Sequence, residues 1–124
     1  MAIWTLRHFF LEAVDSLSKS NEHPGRETIE ELRRFLSEWD WIGPGVYLGT
    51  DLSTFVLGRA ERQQLVSRVF HETTDRLRAF GETIPFTYLQ KHVNTAMEYY
   101  IEATPTEPLM RALEKLQNML RTVP

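Results

Sequence analysis

His8 with Glu12, and His71 with Asp75, each stand four residues apart, a spacing that sets an imidazole and a carboxylate side by side on one face of a helix. If the two helices faced each other, these four groups would make a nitrogen and oxygen donor set of the kind helical bundles use for metals, or an acid–base pair for proton transfer. Stepping 100° per residue argues against that arrangement. His8 and Glu12 fall nearly opposite the Phe10 and Val14 face, and His71 and Asp75 nearly opposite the Leu65 to Leu77 face. Both pairs are therefore expected in water, as surface pairs worth roughly a few tenths of a kcal/mol.

Other chemistries have less support. The absence of cysteine removes disulfides, thiol catalysis and thiolate metal sites together, and fits a reducing compartment. No serine lies in a Gly-x-Ser-x-Gly turn. Gly43, Gly45 and Gly49 have the wrong spacing for a phosphate loop, and no lysine follows them. Glu27, Glu30, Glu31, Glu38 and Asp40 crowd one short helix and its exit, with Glu30, Arg34 and Glu38 as a four-spaced ladder on its outer side. A catalytic carboxylate dyad needs burial to move its pKa, whereas these residues read as a solvated face or as an acidic docking surface. A helix-turn-helix around Gly81 would carry one lysine against Glu98 and Glu102 in its recognition helix, the wrong sign for phosphate. The sequence thus predicts no catalytic residue, no metal, no cofactor and no nucleic-acid partner.

The elements that must position these groups are helices. Ile3, Leu6, Phe10, Val14 and Leu17 mark a first helix from about Ala2 to Ser18, broken by Ser20, Asn21, Pro24 and Gly25. Thr28 and Glu31 have the form of a capping box opening a second, with Ile29, Leu32, Phe35, Leu36 and Trp39 inward. Gly43 to Gly58 holds four of the six glycines and reads as a short β-hairpin near Gly49 or, preferably, a loop followed by a short helix capped by Thr50 or Asp51. A third helix spans about Arg59 to Phe80, with Gly81 as a left-handed cap. A fourth starts near Pro85 with Phe86, Leu89, Val93, Ala96, Met97 and Tyr100 inward. Thr104, Pro105 and Glu107 predict a capping box for a fifth, whose core stripe is Leu109, Leu113, Leu116 and Leu120. The expected fold is a single all-α domain over residues 1–124, a compact five-helix antiparallel bundle with a glycine-rich connection between helices 2 and 3.

Surface features then point to recognition. Of the net charge of -3, residues 1–51 carry nine acids against five bases, so the acidity lies in the front half. Tyr88, His92, Thr95 and Tyr99 form a second stripe roughly 100° from the core stripe of the fourth helix, read either as a second buried side or as a contact surface. Trp41, Tyr47 and Phe55 add another aromatic group of the type enriched at binding hot spots. The sequence-level expectation is a non-enzymatic interaction protein, most concretely a small immunity- or antitoxin-type neutraliser steered by its acidity onto a basic toxin or nuclease. Glu30, Glu38, Asp40, Trp41 and Tyr47 would make one contact patch, and Tyr88, His92 and Tyr99 a second. Two alternatives stand beside it: a small-ligand binder or enzyme with a pocket between helices, and a regulator that dimerises through the Leu109 to Leu120 stripe. The chain is expected as a monomer or homodimer in the cytoplasm. Arg7, His8, Glu12 and Asp15 interrupt the N-terminal apolar stretch before a signal-peptide core forms, and no run approaches the roughly 18 apolar residues that span a bilayer.

Overall fold

The computed structural model describes residues 2–19, 26–38, 52–93 and 103–122, which are predominantly helical. Helix α1 (Ala2–Ser18) and α2 (Arg26–Glu38) come first, then a short helical stretch over residues 52–56, α3, and the long α4 (Ala60–Phe80). A two-residue strand β1 (Thr83–Ile84) leads into one turn of helix, α5 (Phe86–Tyr88), which widens into a π turn over Leu89–Val93. Strand β2 (Thr104–Pro105) and α6 (Glu107–Arg121) complete the order. The all-α bundle predicted from periodicity is the observed fold; α3 is the short helix preferred for the end of the glycine-rich region, and the strand pair is an addition.

Periodicity puts the core where α4 meets its neighbours. Leu6, Phe9, Phe10, Ala13 and Val14 of α1, Ile29, Leu32 and Leu36 of α2, and Leu65, Val66, Val69, Phe70 and Leu77 of α4 are buried together. Leu109, Leu113, Leu116 and Leu120 close the core from α6. Each buried leucine, isoleucine, valine or phenylalanine contributes about 1.5–3 kcal/mol by leaving water. The α6 stripe is thereby covered within one chain and offers no free coiled-coil seam. Thr73, buried among these residues, satisfies its hydroxyl by donating to the Val69 carbonyl at 2.8 Å.

Three local expectations are corrected. The Thr28–Glu31 capping box does not form, because α2 begins two residues earlier at Arg26 and both side chains reach α4: Thr28 Oγ1 donates to Glu61 at 3.3 Å, and Glu31 pairs with Arg62. Thr104 and Pro105 do not start the last helix; they pair with Ile84 and Thr83, so the only strand pairing among the described residues lies here. Thr106 takes the N-cap position instead and turns its hydroxyl away from the helix, donating to the Gly81 carbonyl at 2.6 Å. Gly81 has the expected positive φ of 83°, but its ψ of -135° lies in a region that glycine alone enters readily, a more extended exit from α4 than the predicted left-handed cap. Gly43, Gly45 and Gly49 lie outside the described residues; the described end of that region, 52–56, is helical.

A clamp fixes α3 to the bundle. The Arg62 guanidinium lies 4.3 Å from the Phe55 ring centroid, donates to the Phe55 carbonyl at 3.0 Å, and pairs with Glu31. Phe55 in turn stacks on Phe35 of α2 at 4.8 Å. One guanidinium therefore joins α2, α3 and α4.

Candidate functional site

The densest polar group among the described residues gathers around Glu12. On α1, the spacing predicted from sequence holds: His8 Nε2 lies 3.1 Å from Glu12 Oε1. Its surroundings do not match the expectation of open water. The side chains of His8 and Glu12 are only 20% and 32% exposed. From α5, the Tyr88 hydroxyl donates to both Glu12 oxygens, at 3.1 and 3.3 Å, and lies 3.2 Å from His8 Nε2. From α4, Arg76 Nη1 reaches Glu12 Oε2 at 3.3 Å, while its Nε lies 3.4 Å from Glu72.

The correction has a geometric cause. Phe10 and Val14 alone point Glu12 outward, but Phe9 and Ala13 are buried as well, which brings the covered arc of α1 toward Glu12. Phe9 is the platform on that flank. The Tyr88 ring stacks parallel to it at 6.0 Å with an interplanar angle of 4°, and meets Phe80 edge-on at 4.9 Å. Phe80, near the end of α4, also contacts Phe9 at 5.8 Å. A tyrosine is needed here because the ring fills an apolar groove while the hydroxyl reaches a carboxylate at its rim.

Proton inventory decides who donates. A carboxylate accepts only, and Tyr88 has one proton, which it gives to Glu12; His8 Nε2 faces two acceptors and must itself carry hydrogen. The neutral imidazole is thereby the Nε2–H tautomer. Burial first, and then the charge and hydrogen bond of Glu12, push the Tyr88 phenol well above its usual range, with Arg76 opposing them. Tyr88 is a fixed donor at any pH near neutral.

His71 and Asp75, spaced identically on α4, behave as predicted. Their closest atoms are 3.7 Å apart, and their side chains are 82% and 58% exposed. The two histidine pairs do not converge. Among the described residues no group of three or more His, Cys, Asp or Glu side chains is arranged to hold a metal ion.

The predicted contact residues are distributed as follows. Glu30 is solvent-exposed on α2 and pairs with Arg33, which also reaches Asp15 of α1 at 2.8 Å. Glu27 is exposed, whereas Glu31 turns inward to Arg62. Tyr88 belongs to the Glu12 cluster, half-buried, with its hydroxyl engaged rather than presented outward. The side chains of Glu38 and His92, and the whole of Asp40, Trp41, Tyr47 and Tyr99, lie outside the described residues. Sequence reasoning missed Arg76 and Phe9 as members of the cluster. The available signal was Arg76 four residues after Glu72, which marks an ion pair without naming its partner on another helix.

Compared with protein-family models, curated proteins and solved structures, the chain matches none. Among the described residues no helix is long and apolar enough to cross a membrane.

Proposed function

We propose that this chain is a non-enzymatic protein that works by docking on another protein, most concretely a small cytoplasmic neutraliser of the immunity or antitoxin type that binds a basic toxin. One observation carries the preference for binding over catalysis: in the densest set of reactive groups described, His8, Glu12, Tyr88 and Arg76, the carboxylate is engaged by all three of the others. A general acid or base needs a pKa near working pH and access to a substrate proton. Tyr88 is moved away from neutrality, and Glu12 is occupied by three neighbours from three elements.

The acidity of residues 1–51 supplies the steering, and Glu27 and Glu30 are the described carboxylates of α2 that remain in solvent. A rival reading, an enzyme or small-ligand binder, is favoured by the presence of an imidazole beside a carboxylate at 3.1 Å. One experiment separates the two. The immobilised protein is offered extract from its own cells at low and at high salt, retained proteins are identified, and the purified partner is titrated against Glu27→Lys/Glu30→Lys and against His8→Gln. Binding predicts a single stoichiometric basic partner, released by salt, weakened about tenfold or more by the charge reversals and unaffected by His8→Gln. Absence of any such partner, or a partner indifferent to the charge reversals, overturns the proposal.

A further inference from the structure

We draw no further inference here: the strongest candidate, the cleft of about 400 Å³ where Glu27 and Thr28 of α2 meet Gly58, Arg59 and Glu61 at the start of α4, is a helix N-terminus beside a group of carboxylates, and nothing else among the described residues there points to a ligand.

Discussion

His8–Glu12 on α1 and His71–Asp75 on α4 are the same motif in sequence and opposite in structure. The first lies under a third element and joins three helices; the second stands in water at 82% and 58% exposure and joins nothing else described. Helical spacing fixes which side chains share a face, and a later part of the chain decides whether that face is covered. The difference is made by Tyr88, about eighty residues from His8, lying parallel to Phe9 and donating to Glu12. A surface pair contributes a few tenths of a kcal/mol, whereas the same pair under a tyrosine and an arginine becomes a junction whose loss leaves polar groups short of partners, at about 1–3 kcal/mol.

The largest break in this comparison is Phe9→Ala. Phe9 is fully buried and carries the rings of His8, Phe80 and Tyr88, so its removal should cost about 3–5 kcal/mol in denaturant unfolding and loosen α5. Glu12→Ala comes next, at about 2 kcal/mol, because Tyr88 and Arg76 both lose an acceptor in a half-buried setting. The matched change Asp75→Ala should stay within about 0.5 kcal/mol. Tyr88→Phe keeps the stacked ring and removes only the hydroxyl, for about 1 kcal/mol.

Tyr88 also predicts a pH dependence with a definite sign. Its phenol is held above the ordinary range, so the folded state keeps the proton after the unfolded state has lost it. The contribution is fully present below about pH 10 and is lost as pH rises beyond it. Stability of the unaltered protein should therefore fall more steeply above pH ~10 than that of Tyr88→Phe, as measured by urea midpoints across the alkaline range.

Much of the fold was legible because strong periodicity and buried leucines coincide. The limits of α1 at Ala2 and Ser18, the span of α4 and the stripe Leu109, Leu113, Leu116 and Leu120 follow from the spacing of apolar residues alone. The helix starts were less so, since Thr28 and Thr106 have capping chemistry but find partners on other elements. The fourth helix starts beside Pro85 as its proline suggests, and its single α turn then gives way to an i→i+5 turn over Leu89–Val93, while the side chain of His92 and the whole of Thr95 and Tyr99 lie outside the described residues. The cluster itself was half legible: His8 and Glu12 were named from spacing, but Arg76 and Tyr88 join them only through tertiary contacts that no local pattern encodes.

The most direct test of the account is a double-mutant cycle between Glu12→Gln and Tyr88→Phe, read by urea unfolding at neutral pH. If α5 is pinned to α1 through this junction, the two changes should couple by about 1 kcal/mol, and Asp75→Asn with Tyr88→Phe should be additive. Additivity of Glu12→Gln with Tyr88→Phe within about 0.3 kcal/mol would contradict it, since the covered pair would then behave no differently from the one in water.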